Sequence, residues 1–281
     1  MNTKIDTQLV GAFSTDSGIG NPVYVVYDMN QWSPDERQLF TNFVNVSECV
    51  FVNGIEESKK SQPTINVNIY NPNGRMKFAG HPLIGTIKSL HDMWGINSGN
   101  INTGYLIIPF NYKKKDDGYI SELEVPENTS RTYEKSAELC ALYDMPYTQL
   151  PIYDCGPKHV FIRVHDKRIL NEFNPKWESL KEFKDIALNV YYKTDTYIEN
   201  RMFSPAYGVY EDRATGSAVI PLLKELQKEN PSVDSIEVIQ GTNRKSGVVM
   251  YGRYLPDQNR YVLSGKATKV MSGAVFHGKN I

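Results

Sequence analysis

Glu48, His81 and Asp212 are the side chains in this sequence whose type and setting suit proton chemistry. Glu48 lies in Ser47-Glu48-Cys49-Val50-Phe51-Val52, a strand-like segment apolar on both faces, so its carboxylate shares a face with Val50 and Val52. Apolar surroundings penalise the charged carboxylate and raise its pKa toward the range of a general acid or base working near neutral pH. The competing reading is a carboxylate salt-bridged at a strand end. His81 follows Gly80 at an expected helix start, where the partial positive charge favours a neutral imidazole able to donate or accept a hydrogen bond. A purely structural histidine is the alternative. Asp212, in Glu211-Asp212-Arg213-Ala214-Thr215-Gly216-Ser217, precedes a second glycine-led helix and reads equally as a helix-start acid or a pocket acid.

The two glycine-led segments belong together. Ala79-Gly80-His81-Pro82-Leu83-Ile84-Gly85-Thr86-Ile87-Lys88-Ser89-Leu90 aligns with Thr215-Gly216-Ser217-Ala218-Val219-Ile220-Pro221-Leu222-Leu223-Lys224-Glu225-Leu226 at a constant offset of 136. Glycine, isoleucine, lysine and leucine coincide, and each segment follows an aromatic-x-Pro, Tyr70-Asn71-Pro72 and Phe203-Ser204-Pro205. An internal repeat of this kind predicts two lobes of one design. Each helix start leaves its first N–H groups without intrahelical partners, and glycine lets a ligand approach the backbone, so a carboxylate or phosphate fits at Gly80 or at Gly216 and Ser217. If the lobes pack about a pseudo-twofold axis, both starts face one cleft and hold one small anion from two sides. Two merely capped, buried helices would leave the same pattern.

The elements that must position these residues are legible locally. Gly20-Asn21-Pro22 is a turn into a strand over Val23 to Tyr27, and Ser33-Pro34-Asp35-Glu36 is a capping box that starts a helix running to about Val44. Ser47 to Val52 is a second strand. Thr64 to Tyr70 alternates, with Ile65, Val67 and Ile69 on one face and Thr64, Asn66 and Asn68 on the other. After Phe78-Ala79-Gly80-His81-Pro82 a helix presents Leu83, Ile87, Leu90 and Trp94 at helical spacing. Lys113 to Gly118 reads as a charged, solvated hairpin turn.

Composition narrows the function classes. The 281 residues, 40% of them hydrophobic, suffice for two cores. With 31 basic against 32 acidic residues there is no electrostatic footprint for nucleic acid or an anionic membrane. No stretch reaches the length of a spanning helix, and Met1 to Gln8 lacks a signal-peptide pattern, so a soluble, cytoplasmic protein is expected. Cys49, Cys140 and Cys155 are odd in number and form no Cys-x-x-Cys pair, which argues against a disulfide framework and a structural zinc site.

Gly20-Asn21-Pro22, Ser47-Glu48-Cys49-Val50-Phe51, Phe78-Ala79-Gly80-His81-Pro82-Leu83-Ile84-Gly85-Thr86 and Glu211-Asp212-Arg213-Ala214-Thr215-Gly216-Ser217-Ala218 together resemble the signature segments of the PhzF-like family of phenazine biosynthesis, in family order and spacing. Arg201-Met202-Phe203-Ser204-Pro205, Gln240-Gly241 and Gly265-Lys266-Ala267-Thr268-Lys269-Val270-Met271-Ser272-Gly273 extend the resemblance over nearly the whole chain. It implies an α+β, diaminopimelate-epimerase-like fold: two similar lobes, each a curved, mainly antiparallel sheet around a central helix, with the active site between them. The lobes would be residues 1–122, joined by a final strand at about 268–281, and residues 123–267. The resemblance also implies a homodimer and a cofactor-free, metal-free isomerase like the one that acts on trans-2,3-dihydro-3-hydroxyanthranilate. Glu48 would then take and return the proton, His81 and Asp212 would assist and orient, and Gly80, Gly216 and Ser217 would bind the polar groups of a small carboxylate substrate.

Related epimerases and racemases of this fold carry a cysteine before each glycine-led helix start, and here those positions are Ala79 and Thr215. Two-base racemisation through thiols is therefore not expected. Other departures bear on the substrate: Arg75 and Lys77 stand where the family usually has glutamate and proline, Arg213 replaces a common proline, and Asn243-Arg244-Lys245-Ser246 replaces Gly-Arg-Pro-Ser. Two functional readings follow. One is an isomerase of a small cyclic unsaturated acid with Glu48 as general acid/base; the other is a non-catalytic small-molecule-binding or interaction protein that retains the fold.

Overall fold

The computed structural model describes residues 3–16, 19–29, 31–58, 61–115, 118–125, 128–205, 208–241 and 247–277. The chain divides into two compact units, Met1–Val125 with Val262–Ile281, and Pro126–Tyr261.

In the first unit the chain runs β1 (Thr3–Ala12), β2 (Asn21–Val26), α1 (Pro34–Val44), β3 (Glu48–Ser58), β4 (Ser61–Asn71), β5 (Gly74–Met76), α2 (Gly80–Trp94), β6 (Ser98–Asn102), β7 (Ile107–Lys115) and β8 (Gly118–Val125). The late strand β18 (Ala267–His277) pairs antiparallel with β1 from Thr3↔His277 to Ala12↔Ala267. Across the sheet the order is β18, β1, β2, β3, β4, β6, β7, β8, with the short β5 on β4 beside β6. Only β2–β3 and β4–β6 are parallel among these pairs. A parallel pair needs a crossover, and α1 and α2 lie within those two crossovers.

Local chemistry accounts for α1. Ser33 accepts a hydrogen bond from the Glu36 N–H at 3.3 Å and donates its own N–H to the Glu36 carboxylate at 2.7 Å, Pro34 occupies the first turn, and Asn45 ends the helix in the left-handed conformation. Arg37 ties the helix to the buried Asp28 at 2.8 Å. The strand expected over Val23 to Tyr27 runs instead from Asn21 to Val26, and that expected over Ser47 to Val52 begins at Glu48 and continues, past an irregularity after Val52, to Ser58. Alternation along β4 holds from Thr64 to Val67, where Ile65 and Val67 are buried and Thr64 and Asn66 only partly so. It ends there, because Asn68 is buried along with Val67 and Ile69, so both faces of the strand are covered at its C-terminal end. Of the expected Lys113 to Gly118 turn, Lys113 to Lys115 end β7 and Gly118 opens β8; residues 116 and 117 lie outside the described residues.

Helix α2 is the centre of this unit. Every residue from Gly80 to Leu90 except Lys88 is buried, which goes beyond the single apolar stripe that Leu83, Ile87 and Leu90 suggest. A helix buried all round needs neighbours on all sides, and α2 packs against β18, β1, β2, β3, β7 and β8. Full burial of Leu83, Ile84, Ile87 and Leu90 contributes about 1.5–3 kcal/mol for each side chain. Close approach to β2 requires Gly85, where a Cβ would lie 2.4 Å from Val23 Cγ1. The polar residues of α2 are satisfied internally: Thr86 donates to the Pro82 carbonyl and Ser89 to Gln8 Oε1.

The second unit repeats the plan. Its elements are β9 (Thr129–Thr132), α3 (Ser136–Leu142), β10 (Pro151–Asp154), β11 (Lys158–Val164), α4 (Lys167–Glu172), α5 (Trp177–Leu180), β12 (Ala187–Lys193), β13 (Ile198–Ser204), β14 (Val209–Asp212), α6 (Gly216–Glu229), β15 (Ser235–Gln240) and β16 (Val248–Leu255). The chain re-enters the first unit within β17 (Arg260–Gly265). Again the sheet is mainly antiparallel, with parallel pairs at β11–β12 and β13–β15, the latter bridged by α6 as β4–β6 is bridged by α2. Helix α6 packs on β11, β15 and β16, burying Val219, Leu222, Leu223 and Leu226. A separate core of Leu139, Val160, Leu188, Val190 and Phe203 fills the α3–α5 side. No helix among the described residues is long and apolar enough to cross a membrane.

Candidate active site

In the first unit the sheet brings Glu48 and His81 together. The parallel register sets Glu48, the first residue of β3, opposite Val23 of β2, while α2 begins with Gly80 and His81. His81 Nε2 lies 3.1 Å from Glu48 Oε2, within ion-pair distance, though Oε2 accepts no well-aligned hydrogen bond among the described residues. Ser47 Oγ stands 3.5 Å from the same imidazole nitrogen, a contact at the limit of hydrogen bonding. Burial pushes the Glu48 carboxyl up from 4.5 to about 7, against a smaller opposing hydrogen bond from Ser47. A carboxyl in that position is half-ionised near neutral pH and is equally able to take or give a proton. Of the two settings open to Glu48 from the sequence, desolvation accounts for its raised carboxyl, and His81 beside it is an ion-pair partner only when its ring is protonated.

The start of α2 is not capped by a side chain. Ala79 is the N-cap, in extended conformation, and it has no side-chain oxygen to offer the first-turn N–H groups. Pro82, without an N–H, removes one of the first-turn donors that a helix leaves without intrahelical partners.

In the second unit, Asp212 ends β14 and turns onto the start of α6. Its carboxylate accepts from Thr215 Oγ1 at 2.7 Å and from the Ala214 N–H at 3.4 Å. Gln240, the last residue of β15, donates through Nε2 to the Asp212 carbonyl and to Thr215 Oγ1, and accepts the Thr215 N–H through Oε1. Thr215 is the N-cap of α6, yet its hydroxyl is engaged backward with Asp212 and Gln240, so no side chain caps this helix either. Gly216 is buried and Ser217 partly exposed at the first turn. Pro221 within α6 cannot donate to the carbonyl four residues earlier, that of Ser217.

His159 carries no recognisable motif, yet it lies fully buried on β11 with Nε2 2.9 Å from Ser217 Oγ. Its Nδ1 faces Asn189 Nδ2 at 3.1 Å, and burial pulls its pKa down to about 3, so the ring is neutral. From there Asn189 Oδ1 accepts from Asn200, and Asn200 donates also to Gln240. One buried polar chain therefore runs from Ser217 to Asp212. The only trace of it in the sequence is polar residues at inward strand positions, among them Asn189 between Leu188 and Val190.

The three cysteines lie outside both glycine-led segments. Cys49 is buried with its thiol pushed up to about 12, as is that of Cys155, and Ala79 and Thr215 occupy the two N-cap positions. Among the described residues no three His, Cys, Asp or Glu side chains are grouped to hold a metal ion. Arg75 and Lys77 are both exposed and directed at Tyr105; the Arg75 guanidinium sits 5.0 Å from the ring and donates to the Thr103 carbonyl. Arg213 is exposed, and Asn243-Arg244-Lys245-Ser246 lies outside the described residues.

Residues 10–273 match the family model described as phenazine biosynthesis-like protein. A trans-2,3-dihydro-3-hydroxyanthranilate isomerase of Pseudomonas aeruginosa is 31% identical over 250 residues, covering 87% of this chain and 88% of that protein. One of the same name from Pseudomonas fluorescens is 30% identical over 254 residues, with 87% and 88% covered. Among solved structures, a Bacillus anthracis phenazine biosynthesis protein of the PhzF family superimposes with a TM-score of 0.77 at 19% identity, covering 97% of this chain and 99% of that one. The α+β, two-lobed, epimerase-like fold expected from the sequence is the fold observed.

Proposed function

The chain belongs to the phenazine biosynthesis-like family and is an isomerase of that family, and from this premise we propose that it relocates a proton, and with it a double bond, in a small cyclic unsaturated carboxylic acid, using Glu48 as general acid and base. The observation that carries the reading is the Glu48 carboxyl, raised by burial to about 7 with His81 Nε2 3.1 Å away. A C–H bond of the ring breaks as its proton passes to a Glu48 oxygen, the double bond shifts, and the same carboxyl returns a proton to another ring carbon. The formula is unchanged, so no co-reactant enters. His81 assists and orients the substrate, the uncapped start of α2 at Gly80 supplies an N–H donor for its polar groups, and a binding role for Gly216 and Ser217 at the start of α6 is carried over from the family resemblance. Asp212 contributes by holding the α6 start in place through Thr215.

The test is proton exchange. Wild type and Glu48→Gln are incubated in deuterium oxide with trans-2,3-dihydro-3-hydroxyanthranilate and a panel of cyclic unsaturated acids, and loss of substrate C–H signal is followed by NMR. Isomerisation or exchange with wild type, abolished in Glu48→Gln, is the expected result. Equal reaction by both proteins would remove Glu48 from the mechanism, and inertness toward the whole panel would count against the substrate class.

A further inference from the structure

We propose that His159 is a positioning residue that fixes the Ser217 hydroxyl as an outward-pointing donor to the substrate. The inference deepens the reading above and rests on the use of the Gly216–Ser217 helix start to hold an anionic or carbonyl oxygen.

The argument is one of hydrogen-bond satisfaction. Asn189 Nδ2 contacts two backbone carbonyls, Ala187 O at 3.2 Å and Val160 O at 3.5 Å, while Asn189 Oδ1 accepts from Asn200 Nδ2 at 3.3 Å. Carbonyls only accept, so the amide nitrogen of Asn189 faces inward, toward His159 Nδ1. The two hydrogens of that amide are shared among three neighbours, but an amide nitrogen accepts no hydrogen bond, so the Nδ1 that faces it at 3.1 Å carries no proton. In a neutral imidazole the proton then resides on Nε2, and Nε2–H donates to Ser217 Oγ at 2.9 Å. With an Oγ lone pair taken from behind, the hydroxyl proton of Ser217 is left for an acceptor outside the pair.

Three features keep this arrangement in place. His159 is fully buried, so the imidazole stays neutral through the working pH range instead of switching donors. Asn200 and Gln240 continue the chain to Thr215 and Asp212, so the ring is oriented by the same network that seats the start of α6. Ser217 itself is partly exposed beside the uncapped Gly216 and Ser217 amides, so its hydroxyl and the helix start present donors to one oxygen.

The experiment joins a spectroscopic and a kinetic arm. Side-chain ¹⁵N NMR of the whole protein is expected to show His159 as the Nε2–H tautomer, unchanged from pH 5 to 8, with Nε2–H exchange faster in Ser217→Ala. The kinetic arm is a double-mutant cycle on turnover of trans-2,3-dihydro-3-hydroxyanthranilate. His159→Leu should lower kcat/KM about tenfold, the worth of one hydrogen bond to a charged oxygen, mostly through KM. His159→Gln, which keeps an N–H donor, should restore most of that loss. On a Ser217→Ala background His159→Leu should cost nothing further. A Nδ1–H tautomer, protonation of the ring between pH 5 and 8, or full additivity of the two substitutions would overturn the proposal. Should wild type leave this acid untouched, the substrate reading fails, and the ¹⁵N pattern with its dependence on Ser217 decides the positioning role by itself.

Discussion

Replacing Glu48 by glutamine should stabilise the protein, and by an amount that depends on pH. Burial holds the Glu48 proton in the folded state up to about 7, whereas a free glutamate releases it near 4.5. The folded state therefore binds the proton more tightly than the unfolded chain, and the stability this group contributes is present below about pH 4.5 and lost as pH rises through about 7. Each pH unit in that window costs about 1.4 kcal/mol, and the whole passage about 3 kcal/mol. Glutamine keeps the shape and never ionises. Equilibrium urea unfolding of both proteins from pH 4 to 8.5 should give curves that coincide at the acid end, diverge between about 4.5 and 7, and run parallel above with Glu48→Gln the more stable. A ¹³C-labelled Glu48 carboxyl should titrate near 7 in the same buffer series. A stability gap independent of pH, or a carboxyl titrating at 4.5, would show that the apolar enclosure of Glu48 does not desolvate it, and the general acid/base argument would lose its physical basis.

Two further outcomes concern the frame that carries the site. Arg37→Met leaves the fully buried Asp28 carboxylate without its 2.8 Å guanidinium partner and should destabilise by about 3–5 kcal/mol, read from the urea midpoint, whereas Asp28→Asn with Arg37→Met together should recover part of the loss. Gly85→Ala places a methyl 2.4 Å from Val23 Cγ1 and should cost about 1–3 kcal/mol by overpacking, with Val23→Ala on the same chain giving relief in a double-mutant cycle.

Interactions spanning three or four residues were open to reading from the chain. The capping box at Ser33 to Glu36 set the start of α1, the alternation at Ile65 and Val67 marked β4, and the glycine-led segments 136 residues apart became the starts of α2 and α6 at Gly80 and Gly216. Glu48 and His81 were identifiable as chemistry-bearing residues because an acid among apolar neighbours and a histidine at a helix start are locally conspicuous. What the tertiary structure alone decided is which groups meet. The parallel pairing of β2 with β3 and the seating of α2 across them put His81 beside Glu48, although 33 positions separate the two in the sequence. The turn of Asp212 onto Thr215, which sequence left open between a helix-start acid and a pocket acid, depends on Gln240 arriving from β15. His159 was invisible for the same reason: its partners Asn189 and Ser217, and Asn200 behind Asn189, come from three other elements, and a tautomer or a pKa is a property of enclosure and of neighbours in space, which no local pattern of residues encodes.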